Sequence, residues 1–168
     1  MAISELLKPE LEQELAKTRK TLERLPDDRL DYKPHDKSFE LGALATHLAT
    51  IPLWGKMTME TSELDLCPGG KPLEQPKRIT SAADALARFD QFAADATAAI
   101  GSASDEAFMT EWALMMNGNV MFKMPRYSVI RSMILNHLVH HRAQLGVYFR
   151  LLDIPVPSIY GPSADEQQ

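Results

Sequence analysis

The chain has 168 residues, of which 45% are hydrophobic and 24% charged, and its formal net charge is −5 at pH 7. These values are typical of a soluble globular protein and predict one domain spanning residues 1–168. Nucleic acid is an unfavourable partner, because phosphate binding needs clustered Lys and Arg, whereas the charges here are scattered. The apolar runs are too short for a bilayer and the N-terminus does not resemble a signal peptide, so we expect a cytoplasmic protein without membrane association.

Helical periodicity and helix-ending residues predict four long helices. Ser38 is the expected N-cap of the second helix, and Ser81 with Asp84 forms a capping box for the third. Pro155 and Pro157 prevent the fourth helix from continuing. The four predicted helices span about residues 4–25, 38–60, 81–100 and 126–153.

Between the third and fourth helices the apolar residues alternate with a period of two. The pair Asn117-Gly118 interrupts this alternation, and such a pair favours the tight turn of a β-hairpin. The alternating apolar residues are Trp112, Leu114, Met116, Val120 and Phe122. The predicted fold class is therefore all-α, a four-helix bundle with a short hairpin before the last helix.

Two histidines one turn apart, His137 and His141, lie at the centre of the apolar stripe of the last helix. They are 40° apart on a helical wheel, so their rings are neighbours that can converge on one ion. His140 lies on the flank of the stripe and Arg142 points to the opposite side. Because a buried imidazole needs a polar partner, this pair predicts a metal site.

A third ligand is expected from the second helix, since a transition metal requires at least three protein ligands. His47 continues the apolar stripe formed by Leu44, Ile51 and Trp54. The predicted metal ligands are therefore His47, His137 and His141. Two alternatives remain at this point: core histidines bonded to backbone carbonyls, or a different trio that uses His140.

Three neutral imidazoles without a carboxylate suit zinc, nickel, cobalt or ferrous iron, and we favour zinc or nickel. An open coordination position would activate a water or a small thiol. Leu138 stands where His-Glu-x-x-His metalloproteases carry their general base, which argues against a protease mechanism. The sequence assigns no further catalytic group.

Other side chains are expected to surround the ion. Gln144 could donate a hydrogen bond to a metal-bound histidine, and Arg142 could pair with Asp165 or Glu166 of the tail. Candidates to line the cavity, with ordinary packing as the alternative, are Glu40, Trp54, Tyr127 and Tyr148.

The last helix is also apolar on its far side, where Leu135, Val139 and Phe149 lie. A helix with two apolar sides is covered on both, either by the hairpin and the C-terminal tail or by another subunit. We therefore expect a homodimer.

Three segments together resemble the DinB/YfiT-like superfamily, which is named after DNA-damage-inducible proteins. These are Ser38-Phe39-Glu40-Leu41-Gly42 ahead of a lone helix-two histidine, residues 136–145 (NHLVHHRAQL), and the tail 157–166 (PSIYGPSADE). The resemblance implies a four-helix bundle in up-down-down-up order, often dimeric, with a divalent metal held by three histidines. By position those ligands are again His47, His137 and His141.

Superfamily members of known activity include thiol-dependent S-transferases and a mycothiol-dependent maleylpyruvate isomerase, in which the metal lowers the pKa of a bound thiol. The resemblance thus favours a metal-dependent enzyme, a thiol S-transferase or a hydrolase, acting on a small molecule such as a low-molecular-weight thiol. The alternatives are a non-catalytic stress-response protein braced by its metal and a dimeric scaffold.

Overall fold

The computed structural model describes residues 1–166, which form a mostly helical fold with a small three-stranded sheet. All four predicted long helices are present, and the last one contains a π-helical turn. In chain order the helices are α1 (Ile3–Leu22), α2 (Leu41–Glu60), α3 (Ala82–Gly101), α4 (Asp105–Met109), α5 (Arg126–Val129), the π-helical turn (Ile130–Leu135) and α6 (Asn136–Leu151). A strictly all-α bundle was therefore too simple a prediction.

The sheet extends the predicted hairpin by one strand. Its strands are β1 (Glu63–Asp65), β2 (Glu111–Met116) and β3 (Asn119–Pro125), in the order β1-β2-β3. Strands β2 and β3 are antiparallel, and β1 is parallel to β2. Asn117 and Gly118 have φ angles of 51° and 77°, the left-handed values that a two-residue hairpin turn requires. Asp65 accepts hydrogen bonds from both of their backbone N–H groups, at 2.9 and 2.8 Å, and so ties the turn to β1.

Helix α2 begins three residues later than Ser38, the cap predicted from the sequence. The N–H groups of Leu41 and Gly42 donate to the carbonyls of Tyr32 and Leu30, each at 2.8 Å. Backbone carbonyls of the preceding turn thus satisfy the first free donors of the helix, and no side-chain cap is needed. This contact also fixes the start of α2 against residues 30–32.

The buried faces of α1, α2, α3 and the last helix form the core, which also contains one ion pair. Arg142 and Glu14 have side chains only 3% and 8% exposed, and Arg142 Nη2 lies 2.6 Å from Glu14 Oε2. Arg142 also donates to the hydroxyls of Thr18 and Tyr160, at 3.2 and 2.6 Å. The largest fully buried side chains are Trp112, Phe89, Phe108, Phe149, Leu11 and Leu22.

Arg142 does not pair with the tail carboxylates that the sequence suggested. Asp165 is bound instead by Arg150, at 2.6 Å. Glu166 is bound by Lys20 and Arg24 of the α1 region, each at 2.6 Å. The tail is therefore fastened by partly exposed ion pairs, whereas the buried Arg142 pairs with a carboxylate on α1.

The far side of the last helix is covered in part by the tail. Leu135 and Phe149 are buried, and Ile154 and Val156 pack against the core. Within residues 1–166, no helix is both long enough and apolar enough to cross a membrane.

Candidate metal centre

The fold brings the three predicted histidines together between α2 and α6. His47 comes from α2, and His137 and His141 come from successive turns of α6. One ring nitrogen of each histidine lies within 4.8 Å of the others, and the Nε2 atoms of His47 and His137 are 3.1 Å apart. His140 is exposed and is not a member of this cluster.

The spacing of the nitrogens suits one ion. Bonds of about 2.0–2.1 Å in tetrahedral geometry place ligand nitrogens roughly 3.3 Å apart. The separation of 3.1 Å between His47 and His137 is close to that value. The ring centroid of His141 is 4.5 Å from that of His47 and 4.6 Å from that of His137, so all three rings face one small volume.

Hydrogen bonds orient two of the rings toward this volume. His137 Nδ1 lies 3.3 Å from the carbonyl oxygen of Met133, and His141 Nδ1 lies 2.7 Å from Oε1 of Gln144. Both partners are acceptors, so each Nδ1 carries the proton and each Nε2 keeps its lone pair. Metal-binding histidines commonly have such a partner. Gln144 thus plays the predicted supporting role, but as an acceptor and not as a donor.

Met133 belongs to the π-helical turn directly before α6. π-Helical turns are rare and are often found at functional sites, because they change the direction in which the following side chains point. Here the turn places the Met133 carbonyl beside the His137 ring. Nothing in the sequence periodicity indicated this turn.

The environment keeps the imidazoles neutral at pH 7. Burial, followed by the proximity of His141 and His137, lowers the pKa of His47 to about 4. Burial also lowers the pKa of His137 and of His141, although their hydrogen bonds to Met133 and Gln144 oppose that shift. A metal binds the deprotonated ring, so the cluster needs to release few protons on binding.

One of the three histidines, His47, lines a cleft of about 310 Å³, which we call the His47 cleft. Helix α2 forms one wall with Ala43, Thr46, His47 and Thr50. Phe39, Gln75, Pro76 and Arg78 form the other wall. His137 and His141 are not among its lining residues, so the cleft borders the cluster at His47 alone.

The side chains predicted to line the cavity do not line the His47 cleft. Tyr148 is buried, and its hydroxyl donates to the Phe39 carbonyl at 2.8 Å. It lines a different cavity, of about 470 Å³, together with Phe39 and Gln144. Trp54 packs against the core, and Tyr127 is 40% exposed elsewhere on the last helix. Glu40 lies 3.1 Å from Arg78 at the rim.

Sequence reasoning missed the residues that do form the outer wall. Phe39, Gln75, Pro76 and Arg78 lie in irregular segments, where no periodicity relates them to α2. Their contact with the helix is tertiary. The hydrophobic Phe39 before the α2 start was the one visible signal, since an aromatic residue in a polar turn is unusual.

Comparisons with known proteins agree with this architecture. Residues 5–168 match the DinB family. The uncharacterized protein YrdA of Bacillus subtilis (strain 168) is 31% identical over 153 residues, which cover 89% of this chain and 83% of YrdA.

Two crystal structures of DinB-like proteins share the fold. One, YjoA from Bacillus subtilis, has a TM-score of 0.67 at 15% identity and covers 97% of this chain and 99% of its own. The other, from Bacillus cereus ATCC 10987, has a TM-score of 0.66 at 23% identity and covers 95% and 98%. With the family match over nearly its full length, the chain belongs to the DinB family.

Proposed function

We propose that this protein is a metal-dependent enzyme, a thiol S-transferase or a hydrolase, in which His47, His137 and His141 hold a divalent ion. The observation that carries the proposal is the convergence of three imidazole nitrogens within 4.8 Å of one another, without a fourth protein ligand in the cluster among residues 1–166. Zinc or nickel suits a set of three imidazoles. When bound, such an ion lowers the pKa of a coordinated water or thiol and so supplies a nucleophile near neutral pH.

The residues of the chain have distinct parts in this proposal. The three imidazoles would hold the ion as neutral ligands. The Met133 carbonyl and the Gln144 side chain fix the ring orientations of His137 and His141. A substrate would bind in the His47 cleft, beside the His47 ligand.

The ligand count favours catalysis over a purely structural ion. Structural zinc sites nearly always have four protein ligands, whereas catalytic sites keep one position for water or substrate. Within residues 1–166, the cluster of potential metal ligands contains three residues. A bracing ion would therefore leave its coordination incomplete, and the stress-response alternative is weaker for that reason.

The test is metal content, measured by mass spectrometry on protein purified without a nickel column. We expect about one divalent ion per chain in the wild type and loss of the ion in both His47→Ala and His141→Ala. His140→Ala is the matched control, because His140 is a neighbouring exposed histidine outside the cluster, and it should keep its metal. A wild type that holds no ion even after incubation with zinc or nickel would refute the proposal.

Catalysis is then tested with the loaded protein. Transfer of a small thiol to an electrophile and hydrolysis of small esters or amides are the two reactions to screen. Activity that requires the ion and disappears in His141→Ala would support an enzyme. Full metal occupancy with a large loss of stability on chelation, and no reaction in either screen, would favour the bracing role.

We also propose that the protein is a homodimer. Val147 and Leu151 are 59% and 56% exposed on α6, beside an apolar groove of about 440 Å³ between α6 and residues 156–160. The tail therefore leaves part of the far side of α6 uncovered. A second copy would bury this surface.

A further inference from the structure

The cavity of about 470 Å³ lies between the turn that precedes α2 and the C-terminal half of α6, and we call it the Lys37 cavity. The three predicted metal ligands do not line it, so the molecule that it binds is a separate question from the metal. Lys37, Ser38 and Phe39 form one wall, and Gln144, Val147 and Leu151 form the other.

Hydrogen bonds hold the two walls of the Lys37 cavity in place. The N–H of Lys37 donates to His35 Nδ1 at 3.1 Å, and the N–H of Ser38 donates to the His35 carbonyl at 2.9 Å. The Tyr148 hydroxyl of α6 donates to the Phe39 carbonyl at 2.8 Å. The turn is therefore fixed internally and tied to α6, which leaves the cavity largely preformed, as ligand sites usually are.

Gln144 presents hydrogen-bond donors to this cavity. Its Oε1 accepts from His141 Nδ1 at 2.7 Å, so the oxygen is committed and the NH₂ group is directed away from His141. Gln144 is exposed, and within residues 1–166 its NH₂ group has no hydrogen-bond acceptor. Two N–H donors are therefore available to a ligand.

The opposite wall favours the same kind of ligand. Lys37 is the charged side chain of the lining, and neither its ammonium nor the Ser38 hydroxyl has a partner within residues 1–166. The described lining contains no Asp or Glu. Such a set of donors suits a carboxylate, whose two oxygens only accept. The apolar surface beside the donors comes from three side chains that are each more than half exposed, Phe39, Val147 and Leu151.

We propose that the Lys37 cavity binds a small carboxylate that carries a short aliphatic chain. The carboxylate accepts from the Lys37 ammonium, the Ser38 hydroxyl and the Gln144 NH₂ group, and the chain lies against Phe39 and Val147. None of these contacts is to an ion, so the inference does not depend on the proposed metal-dependent activity. Gln144 would connect the two sites, because the same side chain also orients His141.

The test is a titration with hexanoate, followed by two-dimensional ¹H–¹⁵N NMR of the purified full chain before and after treatment with a chelator. Hexanamide is the neutral ligand of the same length, and acetate is the anion without the chain. We expect hexanoate to shift the side-chain NH₂ signals of Gln144 and to bind roughly fivefold more tightly than hexanamide. Acetate should bind about tenfold more weakly than hexanoate or worse, because it lacks the apolar contact.

Two variants locate the carboxylate. Gln144→Glu keeps an acceptor for His141 but replaces the NH₂ donors by a negative charge, so it should weaken hexanoate about tenfold or more and hexanamide far less. Lys37→Gln should reduce the preference for hexanoate over hexanamide to about twofold or less. Lys33→Gln is the matched control, because Lys33 is an exposed lysine of the same segment that does not line the cavity, and it should leave the preference unchanged.

The outcomes separate this site from the metal centre. Hexanoate binding that survives chelation supports the inference, whereas binding that disappears with the ion would place the carboxylate on the metal and overturn it. Val147 and Leu151 also belong to the surface proposed for the dimer, so each titration is repeated at roughly tenfold lower protein concentration. No binding at either concentration would overturn the inference, as would a preference that Lys37→Gln alters no more than Lys33→Gln does.

Discussion

The buried ion pair between α1 and α6 gives the sharpest stability prediction. Arg142 donates to both the carboxylate and the carbonyl of Glu14, at 2.6 and 3.1 Å, and its side chain is only 3% exposed. Replacing Glu14 by Gln leaves the guanidinium buried without a countercharge. Removing one partner of a buried pair costs about 3–5 kcal/mol, because the remaining charge cannot regain its hydration. For a chain of this size that corresponds to a fall in Tm of roughly 6–20 °C.

The assay is thermal or urea unfolding followed by circular dichroism. Glu12→Gln is the matched control, since Glu12 lies on the same helix and pairs with Lys8 at 3.8 Å, with both side chains about half exposed. An exposed pair of this kind contributes about 0.3–0.5 kcal/mol. If Glu14→Gln shifts Tm no more than Glu12→Gln does, the burial argument is wrong.

Two additional measurements separate the charge effect from a loss of packing. The pair variant Glu14→Leu with Arg142→Met removes both charges and should recover most of the stability lost in Glu14→Gln. Tyr160→Phe removes a hydroxyl that donates to the Glu14 carboxylate at 2.6 Å, at a cost of about 1.5–3 kcal/mol. A pair variant less stable than Glu14→Gln would assign the effect to packing.

The pH dependence of the Glu14→Gln effect has a definite sign. Burial raises the pKa of Glu14, but hydrogen bonds from Tyr160, Arg142 and Lys17 outweigh burial and lower that pKa below 4.5. A carboxyl group whose pKa is lower in the folded than in the unfolded state stabilises the fold, and this contribution is complete at pH values above the unfolded-state pKa. This stabilisation disappears as the pH falls through the folded pKa. The difference between wild type and Glu14→Gln should therefore be full at pH 7 and shrink below about pH 4.5.

Three further predictions concern the metal centre and the assembly. Gln144→Ala removes the acceptor for His141 Nδ1 and should weaken metal binding about 10- to 100-fold in a chelator competition, and an unchanged affinity would contradict that role. Metal-free protein should lose stability as the pH falls below about 6.5. The pKa of His47 is about 4 in the folded state, so between these pH values the unfolded chain protonates His47 and the folded chain does not. A Tm that stays constant from about pH 7 to 5 would contradict this prediction. Val147→Glu should convert dimers to monomers in light scattering without changing metal content, whereas a monomeric wild type would refute the dimer.

The long helices could be predicted because their signals are local. An apolar stripe with a period near 3.6 and a cap or proline at its end depend only on neighbouring residues. The third helix shows this best, since Ser81 accepts from the Asp84 N–H at 3.1 Å as a capping residue should. The hairpin turn at Asn117 and Gly118 was equally local.

The short elements lacked such signals. Strand β1 has three residues, Glu63–Asp65, and its position depends on pairing with β2, far along the chain. Three residues are too few to display alternation. Helix α4 has five residues and is likewise too short for a periodic pattern. These elements are specified by tertiary contacts, which a pattern along the sequence does not contain.

The contrast between local signals and tertiary contacts also applies to the histidine cluster and the buried ion pair. The helical wheel placed His137 and His141 on one face, and His47 was the one histidine of the second helix, so the sequence could identify the cluster. The partner of Arg142 could not be chosen in that way, because the chain contains 23 Asp and Glu residues and no local pattern distinguishes the one that contacts it. Glu14 gave an overlooked signal: it lies on the apolar stripe of α1, where a carboxylate needs a buried partner.

The histidine cluster and the buried Arg142–Glu14 ion pair each take a side chain from adjacent residues of α6. His141 faces α2 and the other histidines, whereas Arg142, one residue later and about 100° further around the helix, faces α1. The guanidinium is bonded to a side chain and a backbone carbonyl of α1, so rotation of α6 about its axis would break both contacts. The ion pair thereby fixes the angle at which His141 meets His47. Since a packed apolar pair is often as stable as a buried charged pair, we expect the pair to contribute more to the orientation of α6 than to net stability.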